Sequence, residues 1–310
     1  MLSLIIPVYK NEANLDRLLG ELASLDQRLE QELEVIFVVD GSPDGSFKIL
    51  EERLPGMLRC SQLATLSRNF GSFNAITAGM ELGRGDYFAV LAADLQEPPD
   101  LIVQFYESLR NGSTDIVFGY RIKRSDPWFT ELSATLFWAI YRRFVIKEMP
   151  PGGVDVFGCT RRVRDRILSF PEANSSLMAL LFWVGFRRRY IGYERQLRKE
   201  GQSTWTLPMK LRYSLDSIFN FTDLPVRLLL ALGGLGTLTA VVLGAVIVTL
   251  RLTNGIPVAG YTALALMILF FGSLMTLGMG IVGQYVWLCL QNARRRPNYL
   301  IDSIRVFDNQ

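Results

Sequence analysis

The chain is organised around Leu91-Ala92-Ala93-Asp94-Leu95-Gln96-Glu97-Pro98-Pro99. An apolar run from Tyr87 to Ala93 leads into Asp94, Gln96 and Glu97, and two prolines then forbid a continuing ladder. A buried parallel strand ends in this way, delivering its polar groups at the C-terminal edge of a sheet. Open α/β sheets bind ligands at that edge. On extended backbone Asp94 and Gln96 present their oxygens to one face. Hard oxygen ligands there suit Mg²⁺ or Mn²⁺ carried in with a diphosphate. A strand-to-loop turn with solvated acids fits the same residues, so the neighbouring stretches decide.

Further apolar runs of β type occur at 2–8, 34–39, 62–66 and 115–119. Helices are predicted over 14–29, 46–54, 74–82 and 99–111. In the first of these, Leu15, Leu18, Leu19, Leu22, Leu25 and Leu29 recur at helical spacing. Asp40-Gly41-Ser42-Pro43-Asp44-Gly45 is turn chemistry with an acid at a strand tip. Ser67-Arg68-Asn69-Phe70-Gly71 follows the third strand, and Tyr120-Arg121-Ile122-Lys123-Arg124 the fifth. Strands alternating with helices predict an α/β fold, a parallel sheet with helices on both faces. Dinucleotide oxidoreductases share that pattern but need a glycine-rich first turn, and here it is Pro7-Val8-Tyr9-Lys10-Asn11-Glu12.

Composition narrows the chemistry. The 310-residue chain has a formal charge of +3 and does not interleave basic patches with aromatics, which argues against nucleic acid. Histidine is absent. That excludes histidine triads, imidazole acid/base catalysis and histidine metal sites, leaving carboxylates, Lys, Arg, Tyr and a bound metal. Cys60, Cys159 and Cys289 are widely separated, so no zinc site or disulfide framework is expected and a reducing cytosol fits. Met1-Leu2-Ser3-Leu4-Ile5-Ile6-Pro7 lacks the basic flank of a signal peptide and reads as a first strand.

Hydrophobic residues make up 49% and the mean hydropathy is +0.21, with the excess concentrated after Arg227. Residues 228–250 and 258–290 contain no charge. About 20 helical residues cross a ~30 Å hydrocarbon core, so each stretch is long enough to span a membrane. Arg227 precedes the first and Arg294-Arg295-Arg296 follow the second, so the positive-inside rule puts both ends in the cytoplasm. Residues 128–145 and 210–221 read as aromatic, basic amphipathic segments suited to a membrane interface, although a core helix fits 128–145 as well. A formal GxGxxG, Gly278-Met279-Gly280-Ile281-Val282-Gly283, lies inside the second apolar stretch with no strand before it. It reads as a place where two membrane helices approach closely. Ala240 and Gly244 have the small-xxx-small spacing that permits helix association, which allows a homo-oligomer.

Glu12, Asp40 and Asp94 follow three predicted strands and are expected to converge at one sheet edge, with Arg68 and Arg121 in equivalent places. Arg187-Arg188-Arg189 fits a solvated basic face. Acids that hold a metal, beside arginines, suit phosphate-bearing substrates. Four stretches resemble the family 2 glycosyltransferases of the GT-A fold: Ile5-Ile6-Pro7-Val8-Tyr9-Lys10-Asn11-Glu12, Val39-Asp40-Gly41-Ser42-Pro43-Asp44, Ser67-Arg68-Asn69-Phe70-Gly71 and Asp94-Leu95-Gln96-Glu97-Pro98-Pro99. Arg198-x-x-Gly201-x-Ser203-x-Trp205 and the C-terminal apolar pair narrow the resemblance to polyprenyl-phosphate glycosyltransferases, the group of dolichol-phosphate mannose synthase and bactoprenol glucosyltransferase.

The resemblance implies a GT-A, Rossmann-like and mostly parallel sheet, a C-terminal two-helix transmembrane hairpin and interfacial amphipathic helices. It implies a catalytic domain over 1–205, a juxtamembrane segment over 206–226, the hairpin over 227–293 (helices about 228–250 and 261–290) and a basic tail over 294–310. The protein is then multi-pass in the cytoplasmic membrane, in contact with membrane lipid, with catalytic domain and C-terminus in the cytoplasm. Pro7, Tyr9, Glu12 and Asp40 are implied to hold the base and ribose of a nucleotide sugar. Asp94 and Gln96 are implied to bind Mg²⁺ or Mn²⁺ on its diphosphate. Arg121 and Arg198 are implied to grip phosphates, with Arg68 and Ser203 among the donor-binding residues. Asp155 matches a family acid near the reaction centre, so the catalytic set is Asp94, Asp155 and Arg198. Many relatives carry an acid two residues before the metal-binding Asp; this chain has Ala92, which thins the expected coordination.

The implied reaction is inverting transfer of a sugar, from a donor of UDP-glucose type, to polyprenyl phosphate, with undecaprenyl phosphate as the lipid. The product would serve cell-surface glycan, lipopolysaccharide or cell wall. A phosphate monoester has its second pKa near ~6, so this acceptor is anionic near neutral pH and needs no strong base. That suits a chain without histidine. Two alternatives fit the same sequence. One is a membrane-tethered scaffold with a degenerate transferase domain, to which Ala92 points. The other is a processive glycan synthase, whose Gln-x-x-Arg-Trp motif is missing because no tryptophan here follows an arginine.

Overall fold

The computed structural model describes residues 1–122, 142, 146, 148–150, 153–154, 156–170, 176–196, 224–254, 260–294 and 296–308. The chain divides into two units, one of Met1–Tyr213 with Pro297–Gln310 and one of Ser214–Arg296. In the first unit the strands are β1 (Leu2–Val8), β2 (Leu33–Val39), β3 (Cys60–Leu66), β4 (Tyr87–Val90), β5 (Ile116–Arg121), β6 (Val156–Thr160), β7 (Arg188–Tyr193) and β8 (Ile301–Asp308). The helices are α1 (Leu15–Arg28), α2 (Ser46–Arg53), α3 (Ser72–Leu82), α4 (Asp100–Arg110), α5 (Arg161–Leu168) and α6 (Leu177–Trp183).

The strands form one sheet in the order β7-β5-β6-β4-β1-β2-β3-β8. β1 pairs parallel with β2 and β4, β2 with β3, and β5 with β7. β6 runs antiparallel between β4 and β5, and β8 antiparallel on β3. The fold is mixed α/β with a mostly parallel central sheet. β1 and β2 are buried along nearly their whole length, because both faces of the sheet are covered. Leu2, Leu4, Ile6 and Val8 join the core shared with the leucine stripe of α1 and with α4. Ile5 and Val38 point the other way, toward α3. Gly79 of α3 permits that contact, since a Cβ there would stand 2.4 Å from Ile5 Cγ2. Each of these fully buried aliphatic side chains contributes about 1.5–3 kcal/mol.

Chain order locates the site. β1 leads to β2 and β3 on one side, and β4 comes back to the other side. The β1–β4 register runs only from Leu2↔Tyr87 to Ile5↔Val90, with a last bond from Leu91 N–H to the Ile5 carbonyl at 3.1 Å. β1 continues to Val8, so the strands part beyond Ile5. A switch of strand order at that edge is where open α/β sheets hold ligands.

Several sequence expectations need correction. β4 ends at Val90 rather than Ala93. Leu95 has a left-handed φ of 52°, so Asp94–Gln96 is a turn and the two oxygens are not displayed from extended backbone. β6, β7 and β8 were not anticipated. β7 and β8 are the two edges of the sheet, where arginines and half-exposed positions blur the apolar signal. Arg188 and Arg189 of the expected basic face lie in a strand, and residues 301–308 of the expected basic tail are an edge strand.

In the second unit, α7 (Leu224–Asn254) and α8 (Tyr261–Arg294) are long helices. Among the described residues one segment, Phe270–Arg294, is long and apolar enough to cross a membrane, with a hydropathy of 1.4. One such segment does not by itself establish the two crossings expected. The helices approach each other at glycines. A Cβ on Gly278 would lie 3.3 Å from Leu229 Cδ1, and one on Gly236 3.2 Å from Phe271 Cε1. Gly278 opens the formal GxGxxG, and it meets a helix rather than a nucleotide loop. The amphipathic segments expected at 128–145 and 210–221 lie outside the described residues, apart from Arg142.

Candidate functional site

The loops after β1, β2 and β3 are tied together by their own side chains. Lys10 takes a left-handed φ of 55°, and its N–H donates to Ser42 Oγ at 2.8 Å. The Glu12 carboxylate accepts the Gly45 N–H at 2.8 Å, which caps the start of α2. Asp44 accepts the Glu12 N–H at 3.2 Å, the Ser42 hydroxyl at 2.6 Å and the Ser46 hydroxyl at 2.9 Å. Burial pushes the Asp44 carboxyl up, but these bonds outweigh it and hold the group below the usual range.

Asp40 sits at the tip of β2, only 2% exposed. Its carboxylate accepts the N–H groups of Phe70 at 2.7 Å and Gly71 at 2.8 Å. Burial is the larger influence and leaves its pKa raised, with the two amides and Arg68 acting the other way. Gly41 must be glycine here. Its φ is +57°, and a Cβ would stand 2.4 Å from the Arg68 carbonyl carbon and the Asn69 nitrogen. Arg68 is exposed and lays its guanidinium 4.1 Å from the Phe70 ring centroid.

Pro7 and Tyr9, both half-buried, end β1 beside the switch point. The even residues of β1 bond toward β2, as Leu2 N–H does to Glu32, and the odd ones toward β4. Pro7 is odd and lies beyond the last β4 pair, so its missing N–H leaves no ladder bond unmade. On the β4 side, Asp94 is half-buried and its Oδ1 accepts the Gln96 N–H at 3.3 Å. Gln96 is buried, and its amide oxygen accepts from the Arg195 guanidinium. Its carbonyl accepts the Gln196 N–H at 2.9 Å. Arg121 ends β5 in register with Tyr193 of β7. A polar cleft of about 200 Å³ also runs past Arg17, Arg28, Leu95, Pro98 and Gln196, and contains none of the expected site residues.

Thus Pro7, Tyr9, Glu12, Asp40, Arg68, Asp94, Gln96 and Arg121 share one sheet edge. Asp155, Arg198 and Ser203 lie outside the described residues. Asp44 and Arg195 were not assigned to the site from the sequence. Asp44 was visible only as turn composition, and Arg195 was hidden because β7 was not read as a strand. No group of three Asp, Glu, Cys or His able to hold a metal occurs among the described residues. Asp94 still fits the role expected of it. Mg²⁺ is commonly held by one or two carboxylates plus substrate phosphates and water. Gln96 fits less well, because its amide oxygen is engaged by Arg195.

The model of "Glycosyl transferase family 2" matches residues 3–169. An uncharacterized glycosyltransferase of Synechocystis is 31% identical over 98% of this chain and 95% of that protein. The undecaprenyl-phosphate 4-deoxy-4-formamido-L-arabinose transferase of Aeromonas hydrophila is 30% identical, over 98% and 94%. The prophage bactoprenol glucosyl transferase homolog of Escherichia coli K12 is 26% identical, over 98% and 99%. Among solved structures, glucosyl-3-phosphoglycerate synthase from Mycobacterium tuberculosis, in complex with Mn²⁺, uridine-diphosphate and phosphoglyceric acid, superposes with a TM-score of 0.51. That match covers 71% of this chain and 76% of the other at 14% identity, a likeness of fold. The matched span covers β1 through α5 and carries every described loop of the candidate site except the segment after β7, and on this ground the chain belongs to glycosyl transferase family 2.

Proposed function

We propose that this chain transfers a sugar, with inversion, from a nucleotide sugar of UDP-glucose type to a polyprenyl phosphate at the cytoplasmic face of a membrane. The observation that carries the reading is the switch point between β1 and β4, with Asp94 on one side and the stitched loops of Tyr9, Glu12 and Asp40 on the other. Relatives named for undecaprenyl-phosphate and bactoprenol transfer match along nearly the whole chain, long C-terminal helices included, and support the lipid acceptor.

In this reading the base and ribose lie against Pro7, Tyr9, Glu12 and Asp40. Asp94 holds the divalent cation, whose contribution when bound is to offset the charge of the leaving diphosphate. Arg121, with Arg68 and, by family match, Arg198 and Ser203, provides further phosphate contacts. An oxygen of the lipid phosphate attacks the anomeric carbon as the bond to the nucleoside diphosphate breaks. The charge moves from acceptor phosphate to leaving diphosphate, so no side chain must remove a proton. Asp155 then orients substrate groups. α7 and α8 cross the membrane as a hairpin, with 1–205 in the cytoplasm, 206–226 at the interface and 294–310 returning to the cytoplasmic side. The lipid phosphate reaches the site laterally.

Purified protein with a panel of labelled nucleotide sugars and undecaprenyl phosphate tests this directly. Label should appear in the organic phase for one donor. Asp94→Asn should lower that transfer roughly 10²-fold or more while the protein remains folded. No organic-phase label with any common nucleotide sugar contradicts the proposal.

A further inference from the structure

β7 runs parallel to β5, so the residues after it emerge at the same edge as the loops of the candidate site. Two bonds tie that segment to the Asp94 turn. The Gln196 N–H donates to the Gln96 carbonyl at 2.9 Å, and the Arg195 guanidinium donates to Gln96 Oε1. The Gln96 N–H in turn donates to Asp94 Oδ1 at 3.3 Å. Gln96 is buried and Arg195 exposed. A buried amide in the Asp94 turn therefore holds an exposed cation.

We propose that Arg195 is a further diphosphate-binding residue, and that Gln96 serves to hold it rather than to ligate the metal. The proposal rests on the donor reading given under Proposed function. The guanidinium takes one of the two lone pairs of the Gln96 amide oxygen and sets a positive charge where a metal ion would have to bind. The guanidinium fork has five N–H donors, and its bond to Gln96 leaves others to reach an anion. If Asp94 anchors the cation on the donor, the diphosphate lies within the neighbourhood of that fork. The charges of the diphosphate and Asp94 together exceed what one divalent cation neutralises, and Arg195 supplies the balance. Ala92, in place of the acid of many relatives, makes a metal-independent contact to the phosphates worth more in this chain.

Full-length protein in detergent is titrated with UDP and UMP by calorimetry, first in EDTA and then with Mn²⁺. Arg195→Ala should weaken UDP binding in EDTA about tenfold, UMP binding clearly less, and the thermal midpoint little. Gln96→Leu should reproduce the UDP loss, and the double variant should add nothing further. Mn²⁺ affinity of the UDP-loaded Gln96→Leu protein, read by electron paramagnetic resonance, should match wild type. Unchanged UDP affinity in Arg195→Ala overturns the proposal. So does an equal loss for UDP and UMP, which makes Arg195 a loop strut. A fall in Mn²⁺ affinity for Gln96→Leu alone restores Gln96 as a ligand. Wild-type protein that binds neither UDP nor GDP contradicts the donor reading itself, and the proposal with it.

Discussion

Asp40 Oδ2 accepts the Gly71 N–H at 2.8 Å, so a carboxylate delivered by β2 fixes the residue at which α3 begins. The neighbouring Phe70 N–H occupies Oδ1 at 2.7 Å. Asp40 is thus a strut of the site as well as a candidate contact for the nucleoside. Asp40→Ala leaves two backbone donors without their acceptor, at about 1–3 kcal/mol each if water does not replace it. The thermal midpoint should fall by several degrees and nucleoside diphosphate affinity should fall with it. Asp40→Asn, with one acceptor oxygen, should recover part of both. A midpoint equal to wild type in Asp40→Ala would remove the strut role.

Gly41→Ala and Gly112→Ala make a matched pair. Both glycines have left-handed φ, +57° and +69°, but only Gly41 has backbone atoms where a Cβ must go, while nothing lies within 4 Å at Gly112. Left-handed backbone costs an alanine roughly 1–2 kcal/mol. Gly112→Ala should lose about that much in denaturant unfolding and keep its donor affinity. Gly41→Ala should lose more and also bind donor poorly, because the β2 and β3 loops must separate. Equal losses at the two positions, with donor binding intact, would show that the loop contact is soft.

Acid stability should report Glu34, which lies away from the site at the opposite end of the sheet. Its side chain is fully buried and accepts from Gln62 Nε2 at 2.9 Å, Arg84 N–H at 2.8 Å and Arg84 Nε at 2.7 Å, with Ser3 Oγ at 2.5 Å. Burial pushes its pKa up; the hydrogen bonds together outweigh burial and leave it lowered from 4.5. A folded pKa below the unfolded one means stability fully present above about pH 4.5 and lost as pH falls through the folded value. Glu34→Gln should cost about 2–4 kcal/mol at neutral pH and flatten the acid limb of the urea midpoint. An acid limb of unchanged slope assigns the transition to other carboxylates, such as Asp308, which Arg84 also holds low.

Most of the central sheet could be read from sequence because its strands are buried on both faces. β1 and β2 appear as unbroken apolar runs, and α1 shows its leucine stripe. The edges were opaque for the converse reason. β7 carries Arg188 and Arg189, and β8 alternates between half-buried and exposed, so neither has the signature of a covered strand. The site followed the same division. Glu12, Asp40 and Asp94 could be placed because each ends or follows a legible strand. The stretch Asp94–Gln96 reads as extended in the sequence because the left-handed Leu95 has no side-chain signal that announces it. Arg195 depended on an edge strand and could not be positioned without it.

Running the reaction backward distinguishes a lipid-phosphate acceptor from a sugar acceptor. If sugar moves between two phosphate linkages, donor and product both keep an anomeric C–O–P bond. The free-energy gap is then small, and each ~1.4 kcal/mol is only tenfold in the equilibrium constant. Isolated, labelled polyprenyl-phosphate sugar, given this enzyme, divalent cation and excess nucleoside diphosphate, should release labelled nucleotide sugar into the aqueous phase. Asp94→Asn should block that release as it blocks forward transfer. Label that stays wholly in the lipid phase under excess of every common nucleoside diphosphate, with forward transfer active, would contradict a lipid-phosphate acceptor.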